Sequence, residues 1–251
     1  MARYDFRTPR LYVEDALAPG ASVALAKPQV HYLCNVLRLK PGDPVLAFNG
    51  RDGEWQAALV PDGKKAANLE FKARIRDQTP PTDLHYLFAP LKHERLDYMV
   101  QKAVELGASR LEPVMTHHTQ AARVNTDRMR ANAIEAAEQC GILTVAGIGA
   151  PLSLEKALAA RAPERLLVFC DEDAEVADPV TALSAHRAAA GDRQPLAVLV
   201  GPEGGFSEAE RALLLKQENV VRLSLGPRIL RADTAAVAVL SLVQAVLGDW
   251  R

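Results

Sequence analysis

Beyond residue 83 the chain alternates near-continuous apolar runs with segments of helical periodicity, and no other feature of the sequence restricts its fold so tightly. LHYLFA (84–89) has the composition of a buried strand. Leu96, Met99, Val100, Ala103 and Val104 then recur at helical spacing, with Gly107 as the C-terminal stop. Residues 111–115 make the next strand and 127–139 a helix, while 166–171 and 196–201 are unbroken apolar strands. Ser207 and Glu210 stand at capping-box spacing ahead of another helix, 220–225 is a strand, and 234–247 is the last helix. Strands without polar alternation need cover on both faces, so the expected architecture is α/β, a parallel sheet between helical layers. Ligands of such sheets collect at the carboxyl ends of the strands.

The first third reads differently. LYVED, DPVLAFNG, GEWQAALV and NLEFKARI are short strand-like runs separated by turn signals at 41–43, 49–53 and 61–64. DQTPPTD (77–83), with two consecutive prolines, is a stiff connector. The expected division is a small β-barrel over residues 1–76 and an α/β domain over 77–251. Ala-rich stretches such as RAAAG read as helix ends, and the sequence has no internal repeat.

With 251 residues and 49% hydrophobic content, the chain can bury such cores and is not disordered. Thirty Lys and Arg against 31 Asp and Glu give a net charge of −1, so a polyanion must be met by a local patch. Residues 1–78 carry 12 basic against 9 acidic side chains, a mild positive bias on the smaller domain. Cys34, Cys140 and Cys170 are odd in number and form no CxxC pair, which points to a reducing compartment, the cytoplasm, and away from structural zinc. The N-terminal MARYDFRTPR has no apolar run behind its arginines, so no signal peptide is expected. The most apolar stretch, 235–247, is far shorter than the roughly 20 residues a bilayer demands, and no membrane association is expected.

Two loops carry the chemistry. In LAVLVGPEGGFSEAE (196–210) a buried strand ends in three glycines and runs directly into a capped helix. The glycines admit positive φ and let backbone N–H groups approach a ligand. The spacing matches neither a dinucleotide fingerprint nor a phosphate loop, and Glu203 at its centre would repel a polyphosphate; a neutral or cationic ligand suits it better. In LSLGPRILRADTAA (223–236), Gly226 and Pro227 shape a turn, Arg228 and Arg231 project cations, and Asp233 or Thr234 caps the next helix. Cations at a helix start oppose its dipole, which suggests that they meet a phosphate or a developing negative charge. The two loops are expected on adjacent strands, walling one pocket.

VGPEGGFSEAE followed by LGPRILRADTA resembles the SPOUT methyltransferases, specifically the RsmE family of 16S ribosomal RNA uridine-N3 methyltransferases. RLYV and HYLCNVLRLKPGD are similar to that family's PUA-like RNA-binding barrel, LDYMVQKAVELGASRLEPVMT to its first helix and second strand, and EAAEQC (135–140) to a further signature. The resemblance spans nearly the whole chain. Two departures stand out: GILTVAGIG follows EAAEQC where the family usually has an arginine and then a proline, and residue 233 is Asp where many members have Glu.

The resemblance implies a deep trefoil knot that grips S-adenosylmethionine, methyl transfer to N3 of a uridine in the decoding region of 16S ribosomal RNA, and a homodimer acting on the assembled 30S subunit. Leu199, Val200, Gly201, Pro202, Gly204 and Gly205 would form one wall of the adenosine pocket. Leu223, Ser224, Leu225, Gly226, Ile229 and Leu230 would form the other, with Thr234 beyond them. Uracil N3 carries a proton, so Arg231 or Arg228 would stabilise charge spreading onto O2 and O4, with Glu203 and Asp233 as candidate bases. Arg3, Arg7, Arg10, His31 and Arg38 are RNA-binding candidates in the barrel. Lys92, Arg95 and Lys102 make a second basic stripe, interleaved with Glu94, Asp97 and Glu105, which also stand at pairing spacing. His117 and His118, if on a strand, face opposite ways and share no metal. Val237, Leu240, Val243 and Leu247 of the last helix are a candidate dimer surface. The rivals are a non-catalytic RNA-binding dimer and an enzyme of the same fold that methylates a ribose 2′-hydroxyl.

Overall fold

The computed structural model describes residues 7–63, 65–92, 94–121, 123–174, 178–190 and 194–250. The chain divides into two compact units, Met1–Pro80 with Ala137–Val145, and Pro81–Ala136 with Ala146–Arg251.

The first unit holds β1 (Arg10–Tyr12), β2 (Ser22–Ala24), α1 (Lys27–Val30) continuing into a π-helical turn (His31–Val36), β3 (Pro44–Phe48), β4 (Glu54–Asp62) and β5 (Ala66–Arg76). Five strands form one sheet in the order β1-β3-β4-β5-β2. Leu33, Val45, Leu59, Leu69 and Phe71 fill its core. β2 and the helical segment gave no usable signal in the sequence. Pro61, read there as a turn residue, lies within β4 and pairs with Ala67.

Ala137–Val145 belongs to this first unit, although the expected boundary placed it in the second. Its Ala137 and Leu143 pack on Phe48, a residue on the other face of β3 from the main core. Arg10 explains the attachment. Its guanidinium stacks 4.6 Å over the Phe48 ring and donates to the carbonyls of Ala137, Glu138 and Ile142.

The second unit contains β6 (Leu84–Phe88), α2 (Glu94–Glu105), β7 (Arg110–Met115) and α3 (Thr126–Cys140, its last turn counted with the first unit). There follow β8 (Gly147–Ile148), β9 (Leu152–Ser153), α4 (Leu154–Ala160), β10 (Leu166–Cys170), α5 (Pro179–Ala190), β11 (Leu196–Val200), α6 (Glu208–Leu215), β12 (Val220–Leu223) and α7 (Ala232–Val246). The sheet order is β12-β10-β11-β6-β7-β8, with β9 also on β7. Every pairing is parallel, as unbroken apolar strands require.

Two expectations are corrected by this order. β11 and β12 are not adjacent, because β10 runs between them. α7 packs on α2, α5 and β11, which buries Leu240, Val243 and Leu247 inside the chain itself and leaves only Val237 part-exposed, so that row is core and not a free surface. Gln244, buried on the same helix, donates to the Leu106 carbonyl where Gly107 ends α2.

Among the described residues no helix is long and apolar enough to cross a membrane.

Candidate functional site

A cavity of about 770 Å³ opens at the carboxyl ends of β10, β11 and β12. Three loops wall it, one more than the sequence suggested. The loop after β11 contributes Val200, Gly201, Pro202, Glu203, Gly204, Gly205 and Phe206, and that after β12 contributes Leu223 through Leu230. The third, after β10, contributes Cys170, Asp171, Glu172 and Ala174.

Each glycine of the first loop answers to a neighbour. A Cβ on Gly201 would come within 3.0 Å of the Phe206 ring, and one on Gly204 within 3.1 Å of His118 Cβ. Gly205 has φ +67°, and its Cβ would stand 2.5 Å from Glu172 Oε1. Phe206 is buried and meets Phe169 edge to face, which anchors the loop from below.

The capping box read from the sequence is present and does more than cap. Ser207 Oγ accepts from the Glu210 N–H, and Glu210 Oε2 accepts from the Ser207 N–H at 2.9 Å. Glu210 Oε1 accepts from the His117 N–H at 2.8 Å, joining this loop to the one after β7. His117 and His118 lie in that turn and not on a strand, their rings edge to face at 4.7 Å.

The loop after β10 is held by two arginines. Asp171, fully buried, accepts from Arg222 Nε at 2.8 Å and pairs with Arg211 at 3.0 Å. Arg211 also reaches Asp173 at 2.6 Å and Glu172 at 3.6 Å. Burial, aided by Asp171, pushes the Cys170 thiol up to about 12, so it faces the cavity as a neutral thiol.

Of the proposed catalytic residues, Glu203 and Arg228 line the cavity, whereas Arg231 and Asp233 do not. Arg231, exposed, is itself the N-cap of α7 and makes no side-chain cap. The helix begins two residues earlier than a side-chain cap at Asp233 would place it, and three earlier than one at Thr234. Asp233 instead accepts from the adjacent Thr234 N–H at 2.8 Å in the first helical turn. Of the proposed cofactor-binding residues, Leu199 is buried in the sheet core and Thr234 is exposed; neither lines the cavity. Ile229 does, with 93% of its surface open. Glu172 and Phe206 were missed; the run CDED at the end of an apolar strand was the available signal for Glu172.

The RNA-binding candidates divide. Arg3 lies outside the described residues. Arg10 is overturned as a surface contact, since it is buried against Glu54. Arg7, His31 and Arg38 are exposed, His31 bonding Asn35 at 2.9 Å and Arg38 taking φ 58°. Lys102 pairs with Glu105 at 2.7 Å along α2. Lys92 is exposed beside a second cavity, of about 640 Å³, which it lines with Arg95 and Glu203.

Residues 78–244 match the family model of an RNA methyltransferase domain, and 25–72 that of an RNA methyltransferase PUA domain. The fold and site thus define an RNA methyltransferase. Ribosomal RNA small subunit methyltransferase E of Rickettsia conorii is 30% identical over 236 residues, 94% of each chain, and its Bacillus subtilis namesake 27% identical over 97% of this chain and 96% of its own. A Legionella pneumophila methyltransferase solved with S-adenosylmethionine superposes with TM-score 0.81 at 27% identity, covering 95% of this chain and 98% of its own. Ribosomal RNA small subunit methyltransferase E of Neisseria gonorrhoeae, also bound to S-adenosylmethionine, gives a TM-score of 0.81 and 27% identity over 98% of this chain and 100% of its own. The chain belongs to the ribosomal RNA small subunit methyltransferase E family.

Proposed function

We propose that this chain methylates N3 of a uridine in the decoding region of 16S ribosomal RNA, uracil 1498 by the resemblance, with S-adenosylmethionine bound in the three-loop cavity. The carrying observation is the cavity's charge: among the described residues Asp171, Glu172 and Glu203 line it against Arg228, and Asp171 is already paired with Arg211 and Arg222. That balance suits a sulfonium and an ammonium and opposes a polyphosphate. Its volume, about 770 Å³, and its glycine backbone admit a ligand of that size.

When bound, the cofactor supplies an electrophilic methyl group. Gly201, Gly204 and Gly205 would let the backbone hold it closely, on a loop that Phe206 anchors. Arg228 on the cavity wall and Arg231 at the head of α7 add a positive field that favours loss of the N3 proton, without touching O2 and O4. Glu203 is the better-placed base, because the Asp233 carboxylate is engaged by the start of α7. The neutral Cys170 thiol takes no nucleophilic part.

On this reading the PUA unit grips RNA through Arg7, His31 and Arg38, the sheet unit carries the knot and forms a homodimer, and the substrate is the assembled 30S subunit in the cytoplasm. The test is methyl transfer from labelled cofactor to small subunits lacking the modification, followed by nucleoside mapping. 3-Methyluridine supports the reading; a 2′-O-methyl nucleoside transfers it to ribose chemistry, and no transfer refutes it.

A further inference from the structure

The second cavity, of about 640 Å³, lies within the sheet unit and is lined by Leu91 and Lys92 after β6, Glu94 and Arg95 in the first turn of α2, Gln120 after β7, and Glu203. Among the described residues, Glu203 alone lines both this cavity and the three-loop cavity. Arg95 stands 3.7 Å from Glu203, beyond hydrogen-bond length, and both side chains are 43% exposed. Among the described residues Lys92 and Gln120 have no hydrogen-bond partner, and Arg95 has only that loose pair.

We infer that this cavity seats the target uracil and reads its edge, Glu203 accepting from N3–H while Arg95 and Gln120 donate to the flanking carbonyl oxygens. The inference rests on the uridine-N3 reading above and names where that base sits. A uracil edge presents acceptor, donor, acceptor; a cavity lined by a carboxylate, a guanidinium and an amide supplies the complementary groups. Cytosine presents an acceptor at N3 and a donor at N4, which this trio opposes. Lys92 is placed for the phosphate of the same nucleotide, and Glu94, the other carboxylate present, favours a single phosphate over a cluster of them. A base taken out of its stack is the form that enters such a pocket.

The juxtaposition accounts for the whole transfer. The N3–H bond breaks with its proton passing to the Glu203 carboxylate, the N3 electron pair forms the new bond to the methyl carbon, and the carbon–sulfur bond breaks with its electrons returning to sulfur. The products are 3-methyluridine, S-adenosylhomocysteine and one proton. Proton transfer comes first, and the Glu203 side chain then withdraws, because the methyl arrives along the in-plane direction that the N3–H bond occupied.

The test uses the full chain, saturated with S-adenosylhomocysteine, and two labelled RNA oligonucleotides that carry either uridine or cytidine at a single unpaired position. Fluorescence anisotropy measures their binding, and calorimetry measures the cofactor's. Wild type is expected to favour the uridine oligonucleotide by about tenfold, the discrimination of one good base-edge contact. Arg95→Ala and Gln120→Ala should each abolish that preference while changing cofactor affinity by less than about twofold, and Arg95→Lys should restore part of it. Thermal unfolding of each variant separates misfolding from lost contacts. Equal binding of the two oligonucleotides by wild type, no binding of either, an unchanged preference in both variants, or a parallel loss of cofactor affinity would each overturn the inference. Wild type that prefers uridine yet forms no 3-methyluridine would leave the cavity's assignment standing and refute only the reading of the reaction.

Discussion

Arg10 and Glu54 form an ion pair of 2.6 Å with side chains only 8% and 3% exposed, and Arg76 closes on the same carboxylate at 3.2 Å. Both arginines also donate to the last turn of α3 and the residues just after it, Arg10 to Ala137, Glu138 and Ile142 and Arg76 to Gly141. A cation at the last turn of a helix is favoured by the helix dipole, and here its N–H groups also bond carbonyls of that turn. This cluster holds Ala137–Val145 to the first unit.

Arg10→Ala leaves the Glu54 carboxylate buried with Arg76 as its remaining ion-pair partner and removes donors from three carbonyls. Breaking a buried pair on one side costs about 3–5 kcal/mol, and urea unfolding should show a loss near the lower end because Arg76 stays. Weakened RNA binding with unchanged stability would restore Arg10 as a surface contact.

Gly205→Ala should weaken cofactor binding. A Cβ there meets Glu172 Oε1 at 2.5 Å, and φ +67° costs a non-glycine residue roughly 1–2 kcal/mol. Adding Glu172→Ala removes the collision, keeps the backbone strain and takes away a wall carboxylate, so measured against Glu172→Ala alone the double variant should recover only part of the affinity in calorimetry. Full recovery would mean that the backbone is unstrained.

Cys170→Ala should retain turnover, and the wild-type thiol should resist alkylation at pH 8, because its acidity lies near 12 when folded. A folded-state value raised above the unfolded one gives stability that is complete below about pH 8.5 and lost as pH rises toward 12. Stability measured against pH should therefore fall more steeply on the alkaline side for wild type than for Cys170→Ala.

Arg231→Ala should reduce turnover by about tenfold with little change in cofactor affinity, since Arg231 acts through its charge from the head of α7, outside the cavity wall. Single-turnover methyl transfer and calorimetry on the same preparation check both halves. Undiminished turnover would leave Arg228, which does line the cavity, as the charge-stabilising residue.

What the sequence disclosed follows how local each signal was. Ser207 and Glu210 are three residues apart, and the cap they announce is the one formed. Strand composition gave β6, β10 and β11 because burial on both faces admits few residues besides apolar ones. Arg10 read as a surface charge because Glu54, the residue that buries it, is 44 positions away. The order of β10, β11 and β12 is a property of chain crossings that no single strand encodes, and with it went the third cavity wall at Glu172. α7 starts at Ala232 because the backbone turns at Arg231 without a side-chain cap, so Asp233 and Thr234 offered a plausible but wrong start.

The most direct measurement is calorimetric titration of the purified chain with S-adenosylmethionine, S-adenosylhomocysteine and ATP. Saturable binding of both adenosyl ligands, lost in Gly205→Ala, with no heat from ATP, is the predicted result. Binding of ATP in preference, or of none of the three, would contradict a cavity whose acidic wall is built for a cation.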